Sequence, residues 1–170
     1  MTALIWTLVS YTATTTYGSV SQTLKYLADI PPHPTVSTFN LQFPTKHVNI
    51  IQDFERHIKL LTEGGSITGK RKIVAIIDSI ATTPGALLPW KEMVAICREA
   101  GVISVVDGAH SIGQELDINL SEVRPDFWVS VCLPYFFSRT IVVMPLFPKE
   151  LSQMVLFEEG KCYFLCSEKV

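Results

Sequence analysis

The stretch that most limits how this chain can fold is residues 72–106. Residues 72–79 (KIVAIIDS) are a nearly continuous apolar run, the pattern of a strand buried on both faces. Thr82-Thr83-Pro84-Gly85 follow as a loop, and Pro89 suits the first turn of a helix. Trp90, Met93, Val94 and Cys97 then recur at helical spacing as an inner stripe, and Gly101 stops the helix. Residues 102–106 (VISVV) form a second buried strand. Strand, helix and strand joined by such short connections make a βαβ unit, whose two strands run parallel. Parallel strands need helices over them, so the expected fold is α/β: three layers, a mostly parallel sheet with helices on both faces.

The flanking chain agrees with that class. Residues 4–10 are apolar and β-branched enough for a strand, and residues 14–18 are a polar turn. Val20, Leu24 and Leu27 give a helix over about residues 19–28, which stops before Pro31-Pro32-His33-Pro34. Residues 35–43 read as a half-buried strand in which Phe39, Leu41 and Phe43 alternate. Pro44-Thr45 opens a helix with Ile51, Phe54, Ile58 and Leu61 on one face, closed by Gly64-Gly65. Residues 126–132 and 141–144 are further strands. In the tail beyond Pro148, Leu151, Met154 and Val155 suit a short helix, whereas residues 162–166 show no clear period. No repeat or linker divides the chain.

With 170 residues there is enough chain for one domain with a real core. The composition, 48% hydrophobic and 18% charged, argues against disorder and for apolar surface that meets a second subunit or further chain. A net charge of −2 without a basic cluster excludes a nucleic-acid partner. Cys97, Cys132, Cys162 and Cys166 have the spacing of neither a zinc site nor a disulfide framework, which points to free thiols in a reducing compartment. The apolar residues 3–9 lack a preceding Lys or Arg and are too short to span a bilayer. The expectation is a soluble, cytoplasmic protein with no membrane partner.

Chemistry concentrates where the strand at residues 102–106 ends. Asp107 follows it, Gly108 and Ala109 allow a tight turn, and His110 comes three residues after the acid. Ligands of open α/β sheets bind at the carboxyl ends of the strands. Two readings are open: the pair faces a ligand, or Asp107 caps a following helix and His110 is an ordinary loop histidine.

Residues 14–132 resemble the middle of the large domain of class V aminotransferase-like enzymes, of fold type I. The matching stretches are TTTYGSV (14–20), DSIATTPGALLPWKEMVAICREAGV (78–102), VDGAHSIGQ (106–114) and residues 117–130. The likeness is greatest to the isopenicillin N epimerase-like branch, which includes fungal cysteine-sulfoxide lyases. The resemblance implies pyridoxal 5′-phosphate (PLP) as cofactor and amino acids or cysteine derivatives as substrates. It also implies a dimer with the site at the subunit interface. It places Asp107 at the pyridine nitrogen, His110 and Thr82 near the phenolic oxygen, and Tyr17 over the ring face. The plain alternatives are a packing aromatic for Tyr17 and a turn-forming threonine for Thr82. By the same resemblance residues 1–145 are a partial large domain and residues 146–170 a divergent tail.

The pattern breaks after Ser130. The family reads close to S-N-C-H-K-W, with the lysine forming the Schiff base; this chain reads Ser130-Val131-Cys132-Leu133-Pro134-Tyr135. Pro134 has no amine and so allows no internal aldimine, and Leu133 and Val131 offer a phosphate no hydrogen bond. Lys149 and Lys161 lie well past the expected strand end. The length leaves no room for the family's N-terminal phosphate-binding segment or its small domain. The expectation is a large-domain fragment, inactive alone, with no catalytic residue assigned. The alternatives are a non-catalytic module docking on an intact paralogue and an incomplete gene model of an active enzyme.

Overall fold

The computed structural model describes residues 8–31, 33–63, 72–132, 140–145, 153–158 and 161–166, with side chains for 12–31, 33–63 and 72–130. In chain order the elements begin with β1 (Leu8–Ala13), α1 (Gly18–Asp29), β2 (Thr35–Phe39) and α2 (His47–Glu63). Next come β3 (Lys72–Asp78), a small hairpin of β4 (Ile80–Ala81) and β5 (Ala86–Leu87), and α3 (Trp90–Glu99). Then follow β6 (Ile103–Asp107), α4 (Leu120–Val123) and β7 (Phe127–Cys132). The last are β8 (Thr140–Pro145), β9 (Gln153–Glu158) and β10 (Lys161–Cys166).

Among the described residues one eight-stranded sheet has the order β10-β9-β8-β7-β6-β3-β1-β2. The block β7-β6-β3-β1-β2 is parallel throughout, and β8, β9 and β10 extend it antiparallel. α2 and α3 pack against each other and so share a face. α1 crosses in the opposite direction, and a right-handed crossover places it on the other face. The sheet is therefore mostly parallel and covered by helices on both sides, as the βαβ pattern requires.

The core lies between the sheet and the α2–α3 layer. Ile50, Phe54 and Ile58 of α2 and Trp90, Met93, Val94 and Cys97 of α3 meet Ile73, Ala75 and Ile77 of β3, with Val106 and Trp128 beside them. Phe39 and Phe54 pack edge to face with centroids 6.4 Å apart. The inner stripe expected for α3 is buried in full. The run in β3 is less symmetric than its sequence suggests: Ile73, Ala75 and Ile77 are buried, but Val74 and Ile76 on the opposite face are only half-buried. That face lies toward α1, which buries only Leu24.

Several boundaries differ from the sequence expectation, each for a local reason. The first strand runs Leu8–Ala13 rather than 4–10, because its ladder with β2 continues to Ala13↔Phe39; residues 4–7 lie outside the described residues. The strand expected over 35–43 ends at Phe39. Beyond it the backbone N–H of Leu41 donates to Thr14 Oγ1 at 2.9 Å, and Thr14 Oγ1 donates to the Leu41 carbonyl at 3.0 Å, which takes the chain out of the sheet. The loop at Thr82 to Gly85 is the turn of the β4–β5 hairpin. Met154 and Val155 belong to β9, not to a short helix, because Val155 pairs antiparallel with both Val143 and Phe164. Residues 162–166, patternless in sequence, fall within β10. Gly64, Gly65 and Leu151 lie outside the described residues.

Candidate cofactor site

The carboxyl ends of β1, β3 and β6 meet at a cavity of about 250 Å³ lined by Tyr17, Asp78, Ile80, Thr82, Asp107, Ala109 and His110. All four residues singled out from the sequence are in that lining. Tyr17 precedes α1 and is 51% exposed. Thr82 comes from the hairpin turn, Asp107 ends β6, and His110 sits in the turn that follows.

Local hydrogen bonds explain why the turn holds its shape. Asp107 Oδ1 accepts the Ala109 N–H at 3.0 Å, while Oδ2 has no hydrogen bond among the described residues. The segment after Asp107 is a turn, and the next helix starts only at Leu120, so this carboxylate caps no helix. Gly108 donates its N–H to the Val129 carbonyl at 2.6 Å, and its own carbonyl accepts from Ser130 Oγ at 2.6 Å. The hydroxyls of Ser79 and Ser111, both fully buried, lie 2.5 Å apart and tie the end of β3 to the turn. Gly108 is required by close approach: a Cβ there would lie 2.6 Å from the Trp128 ring.

Asp78 was not among the sequence candidates, yet it lines the same cavity. It ends β3 in register beside Asp107 and is 5% exposed. Its Oδ2 accepts from Thr16 Oγ1 at 3.0 Å, and Thr16 in turn accepts from Thr12 Oγ1 at 2.6 Å. Burial pushes the Asp78 carboxyl up to about 7; the Thr16 hydroxyl works against the rise, and the charge of Asp107 adds to it. The sequence did hold a signal, since both buried strands of the βαβ unit end in aspartate.

The ring end of a pyridine cofactor fits these groups. A half-open carboxylate can meet a protonated ring nitrogen, Tyr17 offers an aromatic face, and Thr82 and His110 offer polar atoms. The other end is different: among the described residues that line the cavity there is no Lys or Arg for a phosphate or an aldimine. Leu133, Pro134, Tyr135 and Lys149 lie outside the described residues, and for Val131, Cys132 and Lys161 only the backbone is described. No group of three or more His, Cys, Asp or Glu among the described residues is arranged to hold a metal ion. No helix among them is long and apolar enough to cross a membrane.

No protein-family model matches the chain. An L-cysteine desulfhydrase-like protein of Epichloe uncinata is 33% identical over 129 residues, covering 76% of this chain and 27% of the relative. The hercynylcysteine sulfoxide lyase of Schizosaccharomyces pombe is 40% identical over 52 residues, 31% of this chain and 13% of the relative. The chain is thus similar in sequence to cysteine desulfhydrase-like proteins and to a sulfoxide lyase. It spans about a quarter of the length of the desulfhydrase-like relative, 27%. Among solved structures, a serine palmitoyltransferase from S. paucimobilis with a bound PLP–myriocin aldimine superposes with a TM-score of 0.59 at 16% identity, covering 85% of this chain and 33% of that one. At that identity the likeness speaks for the fold alone. By resemblance, the cofactor of this fold type I lineage is PLP.

Proposed function

We propose that this chain is the ring-holding part of a class V aminotransferase-type large domain, related to PLP-dependent lyases and transferases of amino acids and cysteine derivatives, and inactive by itself. One observation carries the reading: Asp107, open at one oxygen, shares a strand-end cavity with Tyr17, Thr82 and His110. In this reading Asp107 keeps the pyridine nitrogen protonated by ion pairing, and the charge of the ring offsets the cost of a half-buried carboxylate. Tyr17 covers one ring face and excludes water. Thr82 and His110 would serve the ring's phenolic oxygen. PLP, when bound, supplies an electron sink for the α-carbon of an amino acid. Pro134, standing where the family has its lysine, offers no amine, so these residues hold the ring without a covalent bond to it.

In domain terms we assign residues 1–145 to the large domain and 146–170 to a divergent tail, whose strands β9 and β10 continue the sheet. The buried free thiol of Cys97 supports a reducing, cytoplasmic setting. The test is the spectrum of the purified chain with PLP, followed by borohydride and peptide mapping. The expected result is a saturable spectral change with no fixed adduct. An adduct mapped to a single lysine overturns the predicted inactivity, and no saturable change overturns the ring-holding role.

A second reading is favoured by α1 and the residue that caps its end, which expose Tyr26 (67%), Leu27 (44%) and Ile30 (39%). Such a face suits a non-catalytic module that docks on an intact paralogue or on a second copy of this chain. Co-purification with the paralogue supports it, and a soluble monomer that captures neither counts against it. Transcript reads across residues 130–139 bear on both readings, because an S-N-C-H-K-W frame there restores the lysine and shows the present end to be an error of the gene model.

A further inference from the structure

We infer that Asp78 and Asp107 act as a carboxyl pair holding one proton between them. The pair presents a single negative charge until a cationic ring nitrogen docks on Asp107, whereupon Asp78 gives its proton to solvent. The identity of the ring rests on the cofactor reading above; the pair itself rests on geometry.

The two residues are register partners at the ends of adjacent parallel strands, and such neighbours lie about 4.8 Å apart along the sheet. Both line the same cavity. The groups that face Asp78 come from every side of that cavity: Thr16 and Tyr17 from the β1–α1 loop, Thr82 from the hairpin, Asp107 from β6 and His110 from the turn. Among these described residues only His110 can carry positive charge. A single hydroxyl serves Asp78, through one of its two oxygens. Two neighbouring carboxylates without a cation between them do not both ionise cheaply, and their protons come off as properties of the pair.

The asymmetry decides where the charge rests. Asp107 is half-buried and accepts a backbone N–H, whereas Asp78 is almost wholly buried, which disfavours its charge. The raised Asp78 carboxyl agrees with this division. A cation on Asp107 cancels the repulsion that adds to burial in keeping Asp78 protonated, and so lowers its hold on the proton. The O–H bond of Asp78 then breaks, its proton goes to water, and no other bond changes. Asp78 is thus a positioning residue that acts through Asp107.

The test uses the whole chain and two readouts. The first is carbon-13 NMR of the aspartate carboxyls in wild type and Asp107→Asn, with circular dichroism to confirm folding. Asp78 is expected to titrate far above the ordinary carboxylate range, with its midpoint falling in Asp107→Asn. An Asp78 titration in the ordinary range, or a midpoint that Asp107→Asn leaves unmoved, overturns the pair. The second readout is binding of 4′-deoxypyridoxine 5′-phosphate, which carries the ring and phosphate but no aldehyde, to wild type and Asp78→Asn. The ratio of wild-type to variant affinity is expected to rise several-fold from about pH 6 to about pH 8. A constant ratio overturns proton release. If Asp78 titrates as stated but the probe binds neither protein, the pair stands and the ring-holding function falls.

Discussion

At the amino end of β6, the carboxylate of Asp126 accepts the Ser104 backbone N–H at 2.8 Å and the Ser104 hydroxyl at 2.9 Å. Asp126 returns its own N–H to Ser104 Oγ at 3.0 Å, and Arg98 donates to the carbonyls of Val123 and Arg124 close by. At the carboxyl end of the same strand layer, Asp78 accepts one hydroxyl and Asp107 one backbone N–H. The residue type is the same at both ends, and the accounting of donors is not. Where one carboxylate oxygen takes two donors from a single strand residue, it fastens loop to strand. Where two carboxylates are left short of donors beside a cavity, the fold has kept capacity for something else.

The largest expected effect separates the two ends by pH. The folded Asp78 carboxyl titrates at about 7 against 3.8 for the free group, so the folded state holds this proton more tightly. Its contribution to stability is complete below the free value and is lost as pH rises through about 7. Asp78→Asn removes that loss, and at mildly alkaline pH the variant should be more stable than wild type by up to about 4 kcal/mol. Urea titrations of both proteins across this range measure the difference, and parallel curves would sink the claim. Next in size is Gly108→Ala, whose new methyl meets the Trp128 ring. It should cost about 1–3 kcal/mol and weaken ring binding, with part of the stability recovered in Gly108→Ala/Trp128→Leu. A single variant as stable as wild type would remove the close-approach argument. The smallest is Asp126→Ala, which breaks the Ser104 exchange and should cost about 1–2 kcal/mol at neutral pH without altering ring binding. If it weakens the probe as much as changes at Asp78 do, the two ends are not independent.

Much of this fold was legible because its period signals are strong. The stripe of α3 settles that helix and its orientation, the face of α2 is right at Phe54 and Ile58 but Ile50 rather than Ile51 is buried, and the run of β3 gives the strand but only one fully buried face. The boundaries that moved are those fixed by pairing across the sheet: β1 extends to Ala13 because β2 is beside it, and the tail strands form only against β8 and each other. Phe39 and Leu41 alternate and are both buried, but a side-chain hydrogen bond from Thr14 turns Leu41 into the core without a strand. At the site, Asp107 and His110 were visible because they are three residues apart. Asp78 was hidden because its neighbour in space lies a whole helix away in sequence, and register alone brings the two together.

The hydroxyl contact between Ser79 and Ser111 has a mechanical consequence. Ser79 follows Asp78 and Ser111 follows His110, so the contact bolts two walls of the cavity together one residue behind each functional side chain. A pull on the turn reaches β3 through that bolt as well as through the β3–β6 ladder. The walls therefore behave as one stiff jaw, not as two fingers that close independently. The spacing of these two walls is thus set by the fold rather than by a guest.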